Sequence, residues 1–460
     1  MTRGGTVTAP NEAIDARAEA IRENEVATFE GRTKASKALY DRAENSMPFG
    51  VTSSFQAGDP YPIYLAEGHG SQVTDIDGNE YIDFHNGFGS MAVGHAHPRV
   101  TEAIVKTARS GTQFATTTET AVQFAEELKR RFNLDKIRFT NSGTESTMDA
   151  VRLGRAASGK DTLLKIEGSY HGHHDAVMFS VVPSLDSGDG GDRPWTVPFS
   201  RGIPPDAAKY TKVVPFNDIP SLEEMLTEHG DEIGAMILEP VMMNIGIVLP
   251  KPGYLEAVRD LCTKHNVVLI FDEVKTGVTI AAGGATEYFG VQPDLVCLAK
   301  SIGGGIPTGA FGGRADLMDE IEHGVAALGT FNGNPLSAAA GLASLTEVLT
   351  PDGYAHLKAL GTRLATGCKE VLDRHGIPAV TTDLGCKGSI TFRDKPLENY
   401  RDFKEVDGSL FEAYWYWVVN RGIYQTPGKE EQWTISVQHT EADIDRSIEI
   451  LAEYCEAVGK

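Results

Sequence analysis

Between residues 98 and 345 the chain alternates longer windows, apolar at every third or fourth position, with short runs of aliphatic and β-branched residues. The windows at 99–109, 119–132, 145–158, 221–229 and 253–265 predict helices, and the runs at 137–140, 235–238, 267–271 and 295–298 predict buried strands. Alternation of this kind predicts an α/β domain with a mostly parallel central sheet covered by helices. Ligands of such sheets sit at the carboxyl ends of the strands.

The flanking regions read differently. Residues 11–45, rich in Ala, Glu, Arg and Lys, predict one or two exposed helices ending at Met47-Pro48-Phe49-Gly50. From Val73 to Phe84 apolar and polar residues alternate around Asp77-Gly78, which predicts a hairpin within a short meander. The stretch Ser184–Pro194, dense in Gly, Asp and Ser, predicts a surface loop. Beyond 346, helices near 355–375, 407–420 and 441–457 with strands near 387–393 and 433–438 predict a smaller α+β domain. The chain thus divides into 1–75 (helical segment and start of the small domain), 76–345 (large domain) and 346–460 (small domain).

Composition narrows the class. With 460 residues and 41% hydrophobic content there is material for one large core and a second, smaller one. No apolar stretch reaches membrane-spanning length and the first residues lack an apolar signal region, so a cytoplasmic protein is expected. Five scattered cysteines without a Cys-x-x-Cys pair read as free thiols. A net charge of −22 disfavours nucleic acid or an anionic membrane as partner.

Four segments carry chemistry. Asn141-Ser142-Gly143-Thr144-Glu145 follows one strand and opens a helix, which suits a phosphate; an ordinary helix cap explains it equally well. Tyr170-His171-Gly172-His173-His174 follows another strand, but its histidines lack carboxylate or Cys partners at metal spacing, so no metal is expected and Tyr170 is better used as an aromatic platform. Asp272 closes the apolar run 267–271, where an unpaired carboxylate is costly to bury. Lys300 closes the run 295–298 and precedes Gly303-Gly304-Gly305, which leaves the backbone room for a bulky group. Taken singly, Asp272 could cap the next element and Lys300 could snorkel. Together they fit pyridoxal phosphate, which needs an amine for a Schiff base and a carboxylate at its pyridine nitrogen. A competing amine, Lys275, lacks a glycine-rich neighbour.

In this order, the motifs 141–145, Tyr170-His-Gly172, Leu238-Glu-Pro240, Phe271-Asp-Glu-Val274, Lys300 and Gly329-Thr-Phe-Asn-Gly-Asn-Pro335 resemble the class III aminotransferases of fold type I, near the glutamate-1-semialdehyde aminomutases and the amine and β-amino acid transaminases. The resemblance runs from about residue 35 onward. It implies a pyridoxal 5′-phosphate enzyme in which Lys300 holds the cofactor and moves the proton. Asp272 would meet the pyridine nitrogen, Val274 and Tyr170 the two ring faces, with His171 beside them. Ser142, Gly143 and Thr144 would bind the phosphate, and Glu239 and Asn244 would lie on the O3′ side. Thr330 would reach the phosphate in the neighbouring subunit, making a homodimer with shared sites and leaving a tetramer open.

The same machinery serves release of a keto product or migration of the amino group within one substrate. The aminomutases carry an Arg in the segment that here reads Gly50-Val-Thr-Ser-Ser-Phe55-Gln56, and an amide cannot replace a guanidinium as a carboxylate partner. Phe88 stands where they carry Trp, so the pocket reads as more apolar. Glu431, by contrast, matches their C-terminal acid, and Trp433 would add an apolar wall; Glu431 could equally be a solvated charge. The expectation is an amine or β-amino acid transaminase (an omega-transaminase) using small amine and keto substrates, with the aminomutase as the alternative. Arg201 and Arg421 are carboxylate partners by elimination only.

Overall fold

The first helices are Glu12–Arg32 and Lys34–Ala43, in a computed structural model that describes residues 12–185 and 194–459. The first helix buries Phe29 among Tyr61, Trp415 and Tyr416, tying it to helix Ser409–Asn420. A meander follows: β1 (Leu65–His69), β2 (Gln72–Asp75) and β3 (Glu80–Asp83) pair antiparallel. The Asp75 carboxylate accepts from the Asp77 and Asn79 amides, and Gly78 takes the left-handed φ of +85° that closes the turn. The expected boundary at 75/76 therefore falls inside this hairpin.

The large sheet contains β4 (Lys136–Thr140), β5 (Thr162–Ile166), β6 (Thr211–Val214), β7 (Ile233–Leu238), β8 (Val268–Asp272), β9 (Leu295–Ala299) and β10 (Gly309–Gly313). Their order is β4-β10-β9-β8-β7-β5-β6, and only β10 runs antiparallel to its neighbours. Strands β5, β7, β8, β9 and β10 are buried along their whole length; apolar runs predict this for β7, β8 and β9, whereas β5 (Thr-Leu-Leu-Lys-Ile) buries Lys165 and β10 is rich in glycine. Strand β10, Gly-Ala-Phe-Gly-Gly, carries no strand signal. Its glycines answer to spacing: a Cβ on Gly313 would lie 1.9 Å from the Asp294 carbonyl oxygen.

In the C-terminal region β11 (Val380–Leu384), β12 (Lys387–Thr391) and β14 (Trp433–Thr434) form an antiparallel sheet, while β13 (Ile423–Tyr424) joins β3 in parallel. Helices Pro351–His375 and Glu441–Gly459 pack together, and the first of them also covers β11 and β12. The strand expected over 433–438 stops at Thr434, and a turn follows in which the Ser436 amide donates to the His439 ring. The expected loop at 184–194 falls mostly on 186–193, outside the described residues. All five cysteines are buried and free. Among the described residues no helix is long and apolar enough to cross a membrane.

Candidate active site

Five strands of the large sheet deliver side chains to one cavity of about 370 Å³ at their carboxyl ends. Strand β4 leads to Ser142, Gly143 and Thr144, β5 to Tyr170 and His171, β7 to Glu239 and Asn244, β8 to Asp272 and Val274, and β9 to Lys300. All of these line the cavity.

At one end lies the N-terminus of helix Gly143–Ser158, whose dipole and first amides suit an anion. Ser142 caps it by accepting from the Glu145 amide at 3.2 Å. Gly143 fits under Val274, since a Cβ there would meet both Val274 methyl groups at 3.0 Å. Gly172, at φ +92°, packs on Thr144.

At the other end Asp272 is held by two donors. His171 Nδ1 lies 2.8 Å from Oδ2, and the Val274 amide donates to Oδ1 at 3.0 Å. Glu239 accepts from the Tyr170 amide on one oxygen, and from the Met243 amide and Asn244 Nδ2 on the other. Burial, with the nearby charge of Asp272, holds the Glu239 carboxyl above the ordinary carboxylate range, against the opposing pull of His171 and of the bonds from Met243 and Asn244.

Lys300 sits at φ +51°, a left-handed conformation that costs a non-glycine residue energy and that the following glycines help the chain leave. Burial, then the charge of Lys275, pushes its amine down to about 8, against the opposing pull of Glu431, Asp272 and Glu239. An anion-seeking helix end, an amine of lowered basicity and a buried carboxylate around a cavity of this size fit pyridoxal phosphate.

Lys275, set aside by the sequence reading, lines the same cavity and donates to the Met243 carbonyl at 2.9 Å and to Glu431 at 3.1 Å. Glu431 is therefore an ion-pair partner, 14% exposed, and no solvated charge. Phe55, Gln56 and Phe88 line an adjoining cleft of about 880 Å³ with Trp415, Tyr416 and Tyr424. Phe55 meets Tyr170 edge-on at 5.6 Å and so joins the two spaces. The Gln56 side chain is exposed, and its oxygen accepts from the Ser53 amide in a capping box.

Other expected residues stand elsewhere. Trp433 lines neither space: its ring lies over Gly388, where a Cβ would clash at 2.3 Å. Thr330 is exposed and absent from this chain's cavity, its carbonyl accepting from Gln113 at 2.6 Å. Arg421 stacks on Trp417 and pairs with Glu25 at 2.9 Å, and Arg201 is exposed outside both spaces, so neither serves as a carboxylate partner within them.

A model of the aminotransferase class-III family matches residues 54–426. The chain is 37% identical to glutamate-1-semialdehyde 2,1-aminomutase 2 of Brevibacillus brevis, over 90% of this chain and 96% of that one. It resembles an omega-transaminase from Sphaerobacter thermophilus with a TM-score of 0.86 and 32% identity, covering 92% and 98% of the two chains. It also resembles a glutamate-1-semialdehyde-aminomutase from Pseudomonas aeruginosa PAO1 in complex with PMP, with a TM-score of 0.88 and 28% identity over 96% and 99%. The chain belongs to the class III aminotransferases, enzymes of the fold type I architecture that work with pyridoxal 5′-phosphate.

Proposed function

We propose that the enzyme is a transaminase that moves an amino group from an amine or β-amino acid bearing an apolar or aromatic group to a separate keto acid or aldehyde. Bound pyridoxal phosphate supplies the electron sink for the carbanion at the substrate carbon. Lys300 would hold the cofactor, and its amine would move the proton at the substrate carbon. Asp272, oriented by His171, keeps the pyridine nitrogen protonated. Ser142, Gly143 and Thr144 hold the phosphate, Val274 and Tyr170 flank the ring, and Thr330 reaches the phosphate of the partner site in a cytoplasmic homodimer.

The observation that carries this reading is the substrate end. No guanidinium stands at Gln56, whose amide is used within its own turn, and Phe55 and Phe88 give the cleft an aromatic lining. The curated relatives favour the second reading, glutamate-1-semialdehyde aminomutase: those of B. brevis and Sorangium cellulosum are 37% and 40% identical over nine-tenths of the chain. Glu431, matching the aminomutase acid, also favours it. Mixing the holoenzyme with 1-phenylethylamine or 3-amino-3-phenylpropanoate, without an acceptor, separates the two. Stoichiometric ketone release with conversion of the cofactor to its amine form supports transamination. Isomerisation of glutamate 1-semialdehyde, with no such release, sinks it.

A further inference from the structure

One wall of the cleft that adjoins the cavity carries two polar groups without a role. Pairing of β13 with β3 lays Tyr424 beside His85, and the Tyr424 carbonyl accepts from the His85 amide at 3.1 Å. Their rings stack at 5.1 Å and 20°, and both line the cleft. The imidazole also meets Phe88 edge-on at 4.4 Å.

A strained turn fixes which nitrogen of His85 is the donor. Residues Asn86, Gly87, Phe88 and Gly89 run left-handed, at φ +46°, +60°, +54° and +77°, a conformation that costs Asn86 and Phe88 energy. The Asn86 side chain pins the turn by donating to the carbonyls of Asp83 at 2.7 Å and Thr434 at 2.8 Å. So held, the turn brings the Phe88 amide to His85 Nδ1 at 3.2 Å. A nitrogen that accepts carries no proton, so the proton of the neutral ring sits on Nε2. Burial lowers the His85 pKa, which keeps the ring neutral at pH 7. Neither Nε2 nor the Tyr424 hydroxyl has a hydrogen-bond partner among the described residues, and both keep accessible surface.

The charges around the cleft decide what these groups bind. Among the described residues Asp59, Asp83 and Glu412 line it against one guanidinium, Arg22, which lies 3.2 Å from Glu412. Asp83 is taken up by His95 at 2.6 Å and by the His85 and Asn86 amides. This excess of carboxylates repels an anion, whereas a carbonyl or hydroxyl oxygen is neutral and offers two lone pairs.

We propose that His85 Nε2–H, with the Tyr424 hydroxyl beside it, binds a neutral oxygen on the group that the substrate carries into the cleft, so the enzyme favours aryl amines bearing a carbonyl or hydroxyl over purely hydrocarbon ones. The proposal rests on reading the enzyme as a transaminase and narrows its substrate class.

The test is single-turnover bleaching of the holoenzyme by 1-phenylethylamines that carry a carbamoyl, isopropyl or carboxylate group at the meta or para position. Carbamoyl and isopropyl share a shape, and only the first offers an oxygen. At the better position the wild type should react with the carbamoyl amine about tenfold or more faster, per unit concentration, than with the isopropyl amine, the scale of two neutral hydrogen bonds. The carboxylate amine should fall below the carbamoyl one. His85→Phe and Tyr424→Phe keep the stacked rings, and each should cut the carbamoyl-to-isopropyl ratio by about fivefold. A structural role would slow both amines alike and leave the ratio unchanged. A wild-type ratio near one at both positions, a carboxylate preferred to the carbamoyl, or a ratio that either folded variant leaves unchanged overturns the proposal. If His85→Phe does not fold, Tyr424→Phe decides alone. Absent ketone release from every amine, 1-phenylethylamine included, is the separate failure of the transaminase reading and takes the proposal with it.

Discussion

Cofactor-free protein should capture pyridoxal phosphate at a rate that follows the neutral fraction of Lys300. An ordinary lysine titrates near 10.5, and Lys300 is pushed down to about 8 by burial and by Lys275. At pH 7 that raises the neutral fraction from about 0.03% to about 9%, a gain of about 300-fold in reactive amine. Capture should therefore climb about tenfold between pH 7 and 9 and then level off. Two substitutions push the inflection in opposite directions. Lys275→Met removes a repelling charge and frees Glu431, so it should move the inflection up by about one unit. Glu431→Gln removes an attracting charge and leaves Lys275 uncompensated, so it should move it down by about as much. The assay is the rise of the protein-bound cofactor's absorbance after mixing, at a series of pH values. An inflection near 10, or both variants shifting the same way, would refute the electrostatic coupling among these three residues.

Asp272→Asn should keep the cofactor attached yet slow single-turnover amine transfer by about 100-fold or more, because a neutral amide cannot hold the pyridine nitrogen protonated. Gly172→Ala should raise the cofactor dissociation constant and lower stability by about 1–3 kcal/mol in a denaturant titration; a Cβ there meets Thr144 at 2.6 Å with φ at +92°. If Thr330 serves the partner site, unfolding and refolding an equal mixture of Lys300→Ala and Thr330→Ala chains should restore about a quarter of wild-type activity through mixed dimers. No gain over the separate variants would remove Thr330 from that role.

The helices are legible in the sequence because their 3.6-residue period is local: helix Glu119–Phe132 buries Phe124, Leu128 and Phe132 on one stripe. The strands bearing Asp272 and Lys300 are legible as unbroken apolar runs. Strand β10 is not, because its glycines are selected by contact with Asp294 and by the backbone of β4, tertiary facts with no local trace. Within one chain the cofactor side of the site is equally local, its residues lying at or a few positions past the ends of their strands. The substrate side is not. Lys275 meets Glu431 across 156 positions. A lysine beside Asp272 invites dismissal until its partner is seen. Trp433 misleads for the same reason: proximity to Glu431 in sequence puts it near the site, while Gly388 draws its ring away.

The central claim is that Lys300, and not Lys275 in the same cavity, carries the cofactor. Borohydride reduction of the holoenzyme followed by peptide mapping tests it most directly. The cofactor should be fixed to the peptide containing Lys300 and to no other, and Lys300→Ala should retain no label. Label on Lys275 in the wild type, or attachment that persists in Lys300→Ala, would contradict it.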